Sequence, residues 1–134
     1  IITYQAGMKT KCKRERGFIN GWVVNITDSW YTIKKPKMLH REDGPAVIEY
    51  NGDFVVLRKE WYKNGVLHRD GKPARILTYY YNKKEWYKNG LRHREDGPAC
   101  ISYDCFGNEH VKFYINGERV EGIDRPLTKS ALKK

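Results

Sequence analysis

Apolar and polar residues alternate along most of this chain, and no segment sustains an apolar stripe of helical period. Trp22, Val23, Val24 and Ile26 mark one strand, opened by the turn signal Asn20-Gly21. Residues 46–50, 74–81 and 99–103 mark three more, each directly after a proline, which suits the first position of a strand. Alternation puts Ala46 with Ile48, Ala74 with Ile76, and Ala99 with Ile101 on one face. Returning strands follow at 54–62, 83–87 and 110–115. In the last of these Val111, Phe113 and Ile115 alternate, so the aromatic faces inward. Residues 1–4 are a short strand candidate, and 126–134 is the only helix candidate. An isolated helix of that length is marginal in water.

The strands belong to a repeat. Residues 85–99 read EWYKNGLRHREDGPA, residues 60–74 read EWYKNGVLHRDGKPA, and HREDGPA stands alone at 40–46. The aromatic pairs Trp30-Tyr31, Trp61-Tyr62, Trp86-Tyr87 and Phe113-Tyr114 are 31, 25 and 27 residues apart. A fixed core with variable insertions is what stacked β-hairpins give. Asn64-Gly65, Asn89-Gly90 and Asn116-Gly117 signal tight turns with positive φ at both central residues. The first unit has residues 34–37, KKPK, in that place, so its turn should differ. In the middle copy Lys72 replaces Gly44 and Gly97. Either that glycine is dispensable, or Gly71 takes its role one position earlier. The repeat also places Trp30, Trp61 and Trp86 inward. Tyr31, Tyr62, Tyr87 and Tyr114 then line the opposite, exposed face beside Glu60, Glu85 and Lys112.

The core W-Y-K-N-G-x-x-H-R-x-D-G-P-A resembles variant MORN repeats, through Trp61, Asn64, Gly65 and His68 and again through Trp86, Asn89, Gly90 and His93. The family's usual His-Gly is His-Arg here, with a DGPA extension, which marks a divergent branch. The resemblance spans about residues 30–122. It implies a meandering antiparallel sheet with a non-catalytic interaction role, of the kind found in phage, bacterial and large-DNA-virus proteins. The expected architecture is all-β: a meandering antiparallel sheet of stacked β-hairpin repeats, with a basic N-terminal arm and a short C-terminal tail. One domain, 1–134, divides into an arm with capping strands (1–29), the hairpin repeats (30–122) and a basic tail (123–134).

Composition sharpens the picture in two respects. Aromatic residues make up 13% of the chain, with 10 Tyr and 4 Trp, which fits a thin β-structure buried largely by rings. The net charge of +10 favours anionic partners: nucleic acid, nucleotides, acidic proteins or lipid headgroups. Three cysteines, Cys12, Cys100 and Cys105, form no CxxC pair, although Cys100 and Cys105 could meet across a turn. A reducing cytoplasm is the simplest setting, the host's for a phage-encoded protein. No apolar run is long enough for a membrane helix, and the opening stretch shows no signal-peptide core. The chain does not open on Met and reads as trimmed or as a piece.

Candidate chemistry gathers at the repeat. Arg41, Arg69 and Arg94 form a column whose forks match phosphate, and Lys13 and Arg14 sit in the basic arm. The opposing reading is an arginine–acid ladder, because Glu42, Asp43, Asp70, Glu95 and Asp96 lie beside them. His40, His68 and His93 share one register and could approach a metal. Ordinary turn bonding explains the recurrence equally well, and neither metal nor cofactor is expected. Tyr62, Tyr87 and Tyr114 are the candidate partner-binding residues, for stacking bases or for contacting a protein. No GxSxG, Walker loop or HExxH is present, and Cys12 in its basic context is the only candidate for an acidified thiol. The expectation is a non-enzymatic binding protein that inhibits or recruits a protein partner. Nucleic-acid or nucleotide binding is the alternative. Open sheet edges leave room for a homo-oligomer.

Overall fold

The structure, a computed structural model, describes residues 9–78 and 82–120. The strand candidate at 1–4, the residues Tyr79, Tyr80 and Tyr81, and the basic tail with its helix candidate lie outside the described residues. Within them the protein is all-β. A nine-stranded antiparallel sheet runs β1 (Thr10–Ile19), β2 (Trp22–Thr32), β3 (Val47–Asn51), β4 (Val56–Glu60), then β7 (Arg75–Leu77), β8 (Lys83–Glu85), β11 (Cys100–Tyr103), β12 (Glu109–Ile115) and β13 (Glu118–Val120). Two small hairpins branch from it: β5 (Tyr62–Lys63) with β6 (Val66–Leu67), and β9 (Tyr87–Lys88) with β10 (Leu91–Arg92). Spatial order follows chain order, so contact runs mainly between neighbours, as in a solenoid.

The turns arise as the sequence implies. Asn20, Asn64, Asn89 and Asn116 have φ near 50°, and the following glycines lie between 81° and 86°. That is the type I′ geometry that matches strand twist. The glycines also stack the hairpins. Gly65 lies against Met38, Gly90 against Val66 and Gly117 against Leu91, so a Cβ at Gly117 would come 3.2 Å from Leu91. The first unit turns instead through residues 33–38, closed by the Thr32 hydroxyl donating to the Pro36 carbonyl and accepting from the Met38 amide. In the middle copy Gly71 takes a left-handed φ of 72°, which lets Lys72 stand where the other copies have glycine.

The basic run is not a free arm. Residues 10–19 pair with β2 along their whole length as the edge strand of the sheet, with one register shift at Gly17/Phe18. Alternation of side chains on a strand forces half of this run onto each face, and the Arg14 guanidinium grips Asp28 through two bonds of 2.7 Å.

One face of the sheet is polar and covered. Register sets Val47, Glu60, Arg75, Glu85, Cys100 and Lys112 opposite one another across successive strands. Arg58 joins Glu49 at 3.1 Å to Glu60 at 2.8 Å, and Arg75 joins Glu60 at 2.9 Å to Glu85 at 3.0 Å. Arg92 closes the ladder on Glu85 at 2.6 Å. Glu60 and Glu85 are 5% and 0% exposed, whereas the sequence pattern suggested an open face. Strand alternation assigns a side but does not say whether that side is covered. The other face carries Ile48, Ile76, Ile101 and Val111, with Ala46, Ala74 and Ala99 fully buried where the backbones close up. Trp86 and Phe113 are buried as expected; Trp30 and Trp61 are half-buried.

Two outcomes follow. Glu85→Gln removes the shared counter-charge of Arg75 and Arg92. It should cost about 3 kcal/mol in urea denaturation, the low end for a broken buried pair because both arginines are one-third exposed. Acid should also weaken the fold through Asp28, whose carboxyl the Arg14 bond holds below its usual range despite burial. A depressed carboxylate stabilises above its unfolded value of about 4 and loses that contribution as pH falls further. Unfolding measured at pH 6 and pH 3 should therefore show a smaller acid loss for Asp28→Asn than for the parent.

Candidate functional site

At one end of the sheet, where β4 leads to β7 and β8 to β11, the repeated His-Arg pair locks each unit to the next. The amide of His40, His68 and His93 donates to the carbonyl of Trp30, Trp61 and Trp86, each at 3.0 Å. The imidazole then reaches forward. Nδ1 of His40 accepts from the Asn64 amide at 2.9 Å, that of His68 from Asn89 at 2.9 Å, and that of His93 from Asn116 at 3.0 Å. The glycine amide of the same turn donates to the preceding unit: Gly65 to Leu39, Gly90 to Leu67 and Gly117 to Arg92, each at 2.8 Å. Because a backbone N–H is the donor, Nδ1 is the unprotonated nitrogen and Nε2 carries the hydrogen. Nε2 meets Glu42 in the first unit, Asp70 at 3.3 Å in the second and Glu95 at 3.3 Å in the third. Both ring nitrogens are thus occupied. Among the described residues no group of three His, Cys, Asp or Glu side chains is placed to hold a metal ion.

The arginine column serves the same joint. The guanidinium carbons of Arg41, Arg69 and Arg94 lie 3.8, 3.8 and 4.0 Å from the ring centroids of Trp30, Trp61 and Trp86. Each Nη1 donates to the carbonyl of Pro45, Pro73 or Pro98 at 3.1 Å. The Nε of Arg41 and Arg94 donates to Asp43 and Asp96 at 3.0 Å. Each backbone amide also donates to the next unit's tyrosine carbonyl: Tyr62, Tyr87 and Tyr114. Stacked and tied to carbonyls, these forks fasten the loop to the tryptophan instead of standing open to phosphate. Arg69 has glycine where its counterparts have aspartate, and burial alone pulls its pKa below the ordinary value.

The remaining candidates are drawn into the framework in the same way. Tyr62, half-buried, donates to Glu60 at 3.3 Å, and burial followed by that carboxylate raises its pKa. Tyr87 accepts from Arg92 at 3.2 Å, and the Arg92 guanidinium lies 5.3 Å from the Tyr114 ring centre. The tyrosine face is therefore part of the ion ladder. Arg14 is spent on Asp28, while Lys13 stays exposed with Glu15 at 3.9 Å. Cys12, expected to be acidified, has its thiol pKa raised by partial burial and by Asp28, which outweigh Arg14 and Arg41. Cys12, Cys100 and Cys105 are all free thiols.

The surface that the sequence reading missed lies at the opposite end. Reversals in an antiparallel meander alternate between ends, so the β1–β2, β3–β4 and β11–β12 tips share one end. There Phe18, Ile19 and Trp22 are 60%, 61% and 78% exposed, Phe54 55%, and Phe106 85%. Two of the tips are the same five-residue loop. Asn51 Oδ1 accepts from the amides of Asp53 and Val55, and Asp104 Oδ1 accepts from those of Phe106 and Asn108. Asn51 and Asp104 also bond backbone-to-backbone with Val55 and Asn108. His110, bonded to Asp104 at 3.0 Å, holds that carboxyl well below the usual range. The signal in the sequence was an Asx residue followed within four positions by a lone aromatic, outside the repeat pattern.

If the histidines are joints, His68→Ala should destabilise by about 1 kcal/mol, the loss of a bond whose Asn89 amide is then left to water. Phe106→Ser, at an exposed tip, should change stability by less than about 0.5 kcal/mol in the same thermal-unfolding measurement. Compared with known protein families, curated proteins and solved structures, the chain matches none of them.

Proposed function

We propose that this chain is a non-enzymatic binding module, a phage or bacterial accessory factor that recruits or inhibits a protein partner. The contact is made by the sheet end that presents Trp22, Phe54 and Phe106. The observation that carries this reading is the exposure of these rings, Trp22 at the start of β2 and Phe54 and Phe106 on loops that Asn51 and Asp104 hold in shape. Large aromatics on rigid loops lose little entropy on binding and are enriched among interface hot spots. The chemistry-bearing residues support it from the other side. The repeated His, Arg and Glu side chains are tied into the joints and the ladder, which leaves no paired acid and base or activated nucleophile among them. The resemblance of the repeat to variant MORN units favours the same non-catalytic class.

Charges of both signs flank the rings: Arg14 stacks 5.5 Å from the Phe54 ring centre, while Asp53 adjoins Phe54 and Asp104 and Glu109 flank Phe106. Affinity capture from bacterial lysate, run in parallel with parent, Trp22→Ser/Phe106→Ser and Lys88→Ala, tests the assignment. A partner retained by the parent and by Lys88→Ala should be lost from the tip variant, with an affinity deficit of about 2 kcal/mol, roughly thirtyfold. A partner held equally by all three contradicts it.

A further inference from the structure

The first repeat unit differs from the others at one position on the ladder face. The residue before the aromatic is Glu60 in the second unit and Glu85 in the third, and these two carboxylates neutralise Arg58, Arg75 and Arg92. In the first unit it is Ser29, which is buried and carries no charge. Lys13 lies directly opposite Ser29, and Lys11 opposite Tyr31, so both lysines occupy this face. Lys37 comes over from the 33–38 turn, with its ammonium 4.7 Å from the centre of the Tyr31 ring. Together they wall a cavity of about 440 Å³ whose lining includes Tyr31 and Ile33 and no carboxylate. Its size is that of small-molecule sites, about 300–1,000 Å³. Among the described residues Lys11 and Lys37 form no ion pair, and Lys13 has only the exposed Glu15 at 3.9 Å, a pair that solvent screens.

Along Arg58, Arg75 and Arg92 on this face the protein supplies its own counter-charge. Here three lysines line one cavity together with ring and aliphatic surface, and no carboxylate is in its lining. We propose that this cavity is a binding site for a phosphorylated small molecule of mononucleotide size. Lys11, Lys13 and Lys37 hold its phosphate, and Tyr31 and Ile33 take its flat or apolar part. Three point-charge donors on flexible stems suit a phosphate dianion, which offers acceptors in every direction. The site lies at the end of the β1–β2 hairpin away from Trp22, so it does not depend on the protein-partner reading.

Calorimetric titration of the whole chain with AMP, UMP, adenosine and inorganic phosphate tests the proposal. Lys11→Ala/Lys37→Ala serves as the site variant and Lys88→Ala as a control on a distant hairpin. All three lysines are exposed, so the fold should persist, and a thermal-unfolding midpoint verifies it. At least one of the two nucleotides should bind more tightly than adenosine and than phosphate alone. Its affinity should drop about tenfold or more in the site variant, stay unchanged in the control, and weaken as salt rises. Absence of binding by both nucleotides at millimolar concentration overturns the proposal, as does binding that the site variant leaves intact. Nucleic acid is distinguished by an unphosphorylated single-stranded oligonucleotide. If it binds and neither nucleotide displaces it, the lysines serve a backbone-tracking surface and the small-ligand site is wrong.

Discussion

Every unit of this protein depends on a lone pair. The unprotonated Nδ1 of His40, His68 and His93 receives a backbone N–H from the asparagine that begins the next unit's tight turn. A type I′ turn leaves that amide pointing outward, and a small hairpin such as β5–β6 or β9–β10 is too short to stand alone in water. The imidazole satisfies the amide and fixes the hairpin's place in one contact. The adjoining arginine completes the joint by covering the tryptophan of its own unit and bonding to the carbonyl of the next. Repetition of the same residues therefore reflects repetition of the same mechanical problem.

A thin sheet of this kind has little volume in which to build an oily core. Among the described residues the fully buried apolar side chains are mainly alanines, and the largest fully buried side chains are His40 and Glu85. Polar groups so placed must be bonded completely, because an unpaired one costs more than a bonded one contributes. In the ladder Glu49, Arg58, Glu60, Arg75, Glu85, Arg92 each inner charge has two partners at ion-pair distance, and Nε of Arg75, 2.9 Å from Glu60, is the one atom of it buried without a hydrogen bond. The same demand locates the exception at the first unit, where Ser29 takes the carboxylate's place and three lysines are left facing a cavity.

Much of the architecture was legible in the residues. Asn-Gly pairs fix turn type through positive φ, and proline fixes strand starts, so strand order and hairpin register followed from local chemistry. The roles of the charged side chains were not legible, for a geometric reason. Arg69 lies on Trp61 and His68 bonds Asn89 because a hairpin brings them together, which no pattern of nearest neighbours reports. For Arg41, Arg69 and Arg94 the residues offered both phosphate forks and an arginine–acid ladder, and Arg41 and Arg94 do bond Asp43 and Asp96; Tyr62, Tyr87 and Tyr114 suggested an open face until their partners were in place. The run around Lys13 and Arg14 looked like a solvated arm because its strand pairing rests on β2, whose own apolar pattern is what orders it. Conversely, Phe106 and Trp22 fell inside or beside strand patterns, and only the alternation of tips between the two ends puts them at the same end of the sheet.

The structural role of the repeated histidines is tested most directly by nitrogen NMR of the labelled protein. A bond from a backbone N–H to an imidazole nitrogen transmits a scalar coupling between the two nitrogens. Couplings from Asn64, Asn89 and Asn116 to Nδ1 of His40, His68 and His93, with the hydrogen on Nε2 in each ring, are the predicted result. Rings that carry the hydrogen on Nδ1 and show no coupling to the asparagine amides would contradict the joint, and with it the assignment of these residues to structure.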